Sequence, residues 1–216
     1  MTKKERAAKI QEIFDDIYKD AKCSLDYKTE HQLLVAVQLS AQCTDARVNL
    51  VTPALFERYK TVEDFAQADV NELEEYIKSC GFYRNKAKNI IESSKQIIER
   101  HDGNLPNTME ELTALAGVGR KTANLILGDV FSLPSVVVDT HCIRLSNRFG
   151  FVNDTDPVRI EKALSKILDP KTSGHFCHQI VYHGRALCTA RNPKCGDCPV
   201  KPYCKYGSKT MESRKK

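Results

Sequence analysis

Residues 111–127 read ELTALAGVGRKTANLIL. An apolar helix end runs into Gly117-Val118-Gly119, and a new helix is expected to start at about Arg120. Glycines at this spacing let the backbone turn tightly and leave N–H groups pointing outward at the new helix's N-terminus. Those donors have no partner within the helix, and the positive end of its dipole lies among them, so the turn suits an anion. A nucleic-acid phosphate, held without regard to base sequence, is the natural ligand. Glycine as the C-cap of an ordinary αα-turn explains the same residues. Arg120 and Lys121, directly after the glycines, weigh towards the anion.

Outward from this turn the pattern is helical almost throughout. KKERAAKIQEIFDDIYKDAK places Ile10, Ile13, Phe14 and Ile17 at the spacing of one amphipathic face. HQLLVAVQLSAQ is apolar all round and reads as a buried helix. DARVNLVTPALFERY, VNELEEYIKSC, RNKAKNIIESSKQIIERH, THCIRLSNRF, DPVRIEKALSKIL and HFCHQIVYHGRALC each support another. Turn signals such as CGFYRN (80–85) and HDGNLPN (101–107) separate them. The only strand-like run, SVVVD (135–139), is too brief to define a sheet. The chain reads as all-α, with about ten short helices.

The sequence starts MTKKERAAKI, with no apolar run behind the charges, and VFSLPSVVVD is broken by Pro134, so neither a secretory signal nor a membrane span is expected. The reading is a soluble, intracellular protein. Its formal charge is +5, but the distribution says more: from Cys188 to Lys216 eight Lys/Arg face two Asp/Glu. Segregated positive charge favours a polyanionic partner, although a solvated basic tail explains SRKK at the end. Nine cysteines, an odd count in a reducing compartment, argue against a disulfide framework. Four of them crowd CTARNPKCGDCPVKPYC as Cys188-x6-Cys195-x2-Cys198-x5-Cys204. That spacing leaves zinc and an iron–sulfur cluster both open. Cys23, Cys43, Cys80, Cys142 and Cys177 sit singly on helical patterns and read as small core residues.

LAGVGRKTANLIL resembles the helix-hairpin-helix of the endonuclease III family of DNA repair glycosylases. VVVDTHCIRLSNRFG (136–150), LLVAVQLSAQCTDARVN (33–49), CGFYRNKAKNI (80–90) and the C-terminal cysteine spacing resemble further segments of that family, in order along nearly the whole chain. One departure is Ala116, where the family usually has proline. The resemblance implies two helical lobes with a DNA-binding cleft: residues 23–133 as a six-helix lobe with the hairpin, and residues 1–22 with 134–216 as the cluster lobe. It implies a [4Fe–4S] cluster on Cys188, Cys195, Cys198 and Cys204, with Arg191 and Lys194 of the intervening loop displayed towards phosphate. The implied partner is damaged double-stranded DNA, bound by a monomer in the cytoplasm at the nucleoid.

The resemblance also assigns chemistry. Lys121 would attack C1′ of a damaged nucleotide; base release leaves a Schiff base, and β-elimination breaks the strand on the 3′ side. Only a neutral amine is a nucleophile, and a helix N-terminus and the adjacent Arg120 both favour that form. Without the resemblance, Lys121 reads as a surface lysine touching phosphate, and Asp139 as the N-cap of THCIRLSNRF. The family role of Asp139 is to stabilise positive charge developing on the sugar and to shuttle protons, which is compatible with capping. Gly117, Val118, Gly119, Arg120 and Thr122 would hold the backbone, and His141 would lie near phosphate or be satisfied by backbone. A base inside a duplex must be flipped to be reached. Gln42 would fill the vacancy, and Phe82 would wedge between base pairs rather than anchor its loop in the core. An adenine-mismatch glycosylase, which typically lacks this lysine and adds a C-terminal domain, and a non-catalytic DNA-binding module are the rival readings.

Overall fold

The computed structural model describes residues 1–212; the SRKK tail lies outside the described residues. The described residues form twelve α-helices and two 3-10 turns, with no strand among them. SVVVD runs as irregular chain into a helix. The helices, in chain order, are α1 Lys3–Ile17, α2 Glu30–Leu39, α3 Asp45–Arg58, α4 Val62–Ala66, α5 Val70–Ile77, α6 Tyr83–His101, α7 Met109–Ala114, α8 Arg120–Asp129, α9 Thr140–Phe149, α10 Pro157–Leu164, α11 Ser173–Ala186 and α12 Lys205–Glu212. α4 and α12 exceed the sequence reading, because five residues carry less than two turns of periodicity and α12 follows a cysteine-rich loop with no apolar stripe.

The chain forms two compact units, Met1–Cys23 with Ser132–Lys216, and Ser24–Phe131. In the first, α1 lays Ala7, Ile10 and Phe14 against Leu145 and Phe149 of α9, Ile160 and Leu164 of α10, and Phe176 and Ile180 of α11. Phe14 meets Phe149 edge-on at 6.1 Å and Phe176 at 5.7 Å between ring centres, contacts that each add about 0.5–1.5 kcal/mol beyond simple burial. Ile17, expected on the same face, is exposed because the helix ends there.

In the second unit α2 is the hub: every residue from Gln32 to Leu39 is buried. This is why its sequence lacks a polar face. It packs on α3, α6 and α8.

Helix starts follow one rule with few exceptions. Thr2, Thr29, Thr44, Thr61, Asp69, Thr108, Asp139 and Asp156 each accept a hydrogen bond from a backbone N–H of the first turn they precede. α6, α8 and α11 have no such side-chain cap. Two of these exceptions, α6 and α8, open at Phe82 and Gly119.

Candidate functional site

The turn between α7 and α8 shows why its residues are what they are. Gly117 has φ +72, and a Cβ there would lie 2.8 Å from Asn89, so side chains are excluded twice over. Val118 is buried and pins the turn. Gly119 caps α8 in extended backbone with open space around it and supplies no side-chain capping bond to the first turn of α8. Ala116 sits in a clamp: its N–H donates to Gln96 Oε1 at 2.8 Å, and its carbonyl accepts from Gln38 Nε2 at 2.9 Å. Proline could not make the first of these bonds. The departure at Ala116 therefore comes with its own restraint, one that neither glutamine announced in the sequence.

Arg120, Lys121 and Thr122 occupy the first turn of α8, with Arg120 and Lys121 exposed. The Lys121 side chain makes no hydrogen bond or ion pair among the described residues. Gln42 and Phe82 are both exposed, Phe82 to 63%, and both are left-handed, with φ of 54 and 48. A left-handed backbone at residues other than glycine is strained, and surrounding structure must hold it. Phe82 is thus not a core aromatic.

Asp139 caps α9, its Oδ1 accepting from the Cys142 N–H at 2.7 Å. His141 is not satisfied by backbone alone: the Arg144 guanidinium lies 3.0 Å from its Nδ1. Arg144 and Arg148, one turn apart on α9, fasten the loop that begins at Cys188. Arg144 donates to the Cys188 carbonyl at 3.2 Å. Arg148 donates to the carbonyls of Thr189 and Ala190 at 2.7 and 2.9 Å and to Cys188 Sγ at 3.2 Å, and stacks over Tyr206. Sequence reasoning missed both arginines in this role, since an arginine at helical spacing reads as solvated surface. Arg191 and Lys194 are exposed on the same loop.

Cys188, Cys195, Cys198 and Cys204 line one cavity with Phe149, His183 and Leu187. Burial pushes the Cys198 thiol up to about 11 and raises Cys204 as well, and a bound metal would reverse this by deprotonating them. Arg148 donates to Cys188 Sγ and the Gly207 N–H to Cys204 Sγ, while the Cys204 thiol donates to the Arg148 carbonyl at 3.3 Å. Four cysteine sulfurs on one cavity are a donor set that tetrahedral zinc or an iron–sulfur cluster can use. Of the other cysteines, Cys80, Cys142 and Cys177 are buried, while Cys23 and Cys43 are partly exposed.

Residues 35–170 match the family model of HhH-GPD superfamily base excision DNA repair proteins, and residues 188–204 match that of the iron-sulfur binding domain of endonuclease III. Endonuclease III of Synechocystis sp. is 52% identical over 204 residues, spanning 94% of this chain and 93% of that one. The chain belongs to the endonuclease III family. Endonuclease III of Escherichia coli is 38% identical over 86% of this chain and 88% of its own. A solved structure of a trapped endonuclease III–DNA covalent intermediate superposes with a TM-score of 0.90 at 40% identity, covering 98% of this chain and all of that one. As a member of this family, the protein is a DNA glycosylase and abasic-site lyase of base excision repair, all-α, with a [4Fe–4S] cluster. No helix of the described residues is long and apolar enough to cross a membrane.

Proposed function

We propose that this protein removes oxidised pyrimidines from damaged duplex DNA through a Schiff base on Lys121, and then cleaves the strand 3′ to the abasic site by β-elimination. The observation that carries the reading is Lys121 itself: an exposed amine with no hydrogen bond or ion pair among the described residues, one residue into the helix that follows the Gly117-Val118-Gly119 turn. The Nζ lone pair forms the bond to C1′ as the bond to the base breaks. Loss of the sugar-ring C–O bond gives the imine, and removal of a 2′ proton expels the 3′ phosphate.

Asp139 supplies the carboxylate. Its capping bond engages one oxygen, and the other would stabilise positive charge on the sugar and carry protons during imine formation. The hairpin from Gly117 to Thr122, with His141, Arg191 and Lys194, holds backbone phosphates. Gln42 fills the vacancy left by the flipped base and Phe82 wedges beside it. Cys188, Cys195, Cys198 and Cys204 hold the cluster, whose part is to shape the loop that carries Arg191 and Lys194. The enzyme acts as a monomer, in the cytoplasm at the nucleoid. A solved endonuclease III relative captured covalently on DNA supports a covalent route.

Borohydride reduction tests this. Wild-type protein is expected to form a stable adduct with lesion-bearing duplex. Lys121→Gln should bind the same duplex with similar affinity yet give neither adduct nor strand cleavage. Asp139→Asn, which keeps a good helix cap, should retain some capture at a preformed abasic site while losing most base excision. A protein that shifts the duplex without cutting it would be a binding module, and one that excises only mismatched adenine would belong to the rival branch.

A further inference from the structure

Lys86 is a lysine where lysines are rarely found: 6% exposed, on the face of α6 that carries Ile90 and Ile97. Its ammonium donates to the carbonyl of Leu39 at 2.8 Å and to that of Cys80 at 2.9 Å. Its backbone N–H donates to the carbonyl of Phe82 at 3.1 Å. Leu39 ends α2, where carbonyls lack helical partners and the dipole is negative, so a cation is favoured there. Cys80 ends the 3-10 turn Lys78–Cys80. A few residues beyond these two carbonyls stand Gln42 and Phe82, the exposed left-handed residues. One buried side chain thus ties together the two loops that carry them. An apolar residue would fill the space but leave two carbonyls without this donor, a loss a merely space-filling position would not incur.

We propose that Lys86 is a positioning residue for base extrusion: by bonding the two loops through a single ammonium, it fixes Gln42 and Phe82 in the relation needed to enter the duplex together. This rests on the reading that those two residues fill the vacancy and form the wedge. A group that holds the extrusion loops should matter most where extrusion is hardest. A paired lesion must be unstacked and unpaired, whereas an abasic site has no base to expel.

The test compares single-turnover excision of a paired oxidised pyrimidine with cleavage of the same duplex bearing a preformed abasic site. Rates are scaled to the fraction of enzyme that borohydride can trap. Lys86→Met is expected to lower the ratio of the first rate to the second about ten-fold, the scale of one lost hydrogen bond to a charged group. Lys86→Arg, which keeps the donors, should restore part of it. If Lys86→Met does not fold, Lys86→Gln, with a donor for one carbonyl, is read by the same ratio. Equal loss on both substrates would mean that Lys86 only stabilises the fold, and would overturn the proposal. Gln42→Ala and Phe82→Ala separate the two layers. If they lower the ratio and the Lys86 variants do not, the positioning role is wrong and the loop reading stands; if they leave it unchanged, the loop reading fails and the positioning role with it.

Discussion

Gly117 and Gly119 stand in one turn, yet the structure makes different demands on them. At Gly117 an added Cβ meets both a left-handed backbone and Asn89; at Gly119 it meets open space and ordinary backbone. Gly117→Ala is therefore expected to lower stability by about 1–3 kcal/mol. Gly119→Ala should cost no more than about 1 kcal/mol, the difference between a glycine and an alanine cap. Denaturant unfolding of the two variants checks this, and equal losses would contradict it. Other residues were less legible. Nothing in AQCTD or GFYRN announces that Gln42 and Phe82 are left-handed, since neither is glycine or asparagine, and tertiary contacts impose the conformation. Lys86 left a trace: counted along RNKAKNIIESSKQIIERH it falls in line with the apolar stripe, where a charged residue asks for a partner.

At the scale of elements, helix starts carry the functional signal. Eight helices spend a threonine or aspartate on their own first turn, while α8 opens on a bare glycine. That contrast was legible in GVGRKT and explains why the turn suits phosphate. The loop from Cys188 to Cys195 is shaped differently, by Arg148 gripping its carbonyls and by the Lys194 N–H donating to Leu187 at 2.9 Å. This leaves the side chains of Arg191 and Lys194 exposed. If both meet phosphate, replacing them with methionine should reduce the slope of log affinity against log salt by about two. Affinity for undamaged duplex, measured over a salt series, decides the matter; an unchanged slope would remove this loop from the interface.

Across the whole molecule, periodicity was sufficient to reveal an all-α chain, and the order of its motifs the family. It could not settle the metal, because cysteine spacing alone fits zinc as well as iron. Four sulfurs lining one cavity give a fitting donor set, and the family match identifies the group as an iron–sulfur cluster. Purified protein should be brown, with about four irons and four acid-labile sulfides per chain; one zinc and no sulfide would contradict the cluster. The central claim, that Lys121 is the nucleophile, is tested most directly by locating the adduct. Wild-type enzyme is reduced with borohydride on lesion duplex, digested with nuclease and protease, and its peptides are sequenced by mass spectrometry. The account predicts the residual sugar on Lys121, with trypsin no longer cutting after it. A sugar carried by the N-terminal amine or by another lysine would contradict it.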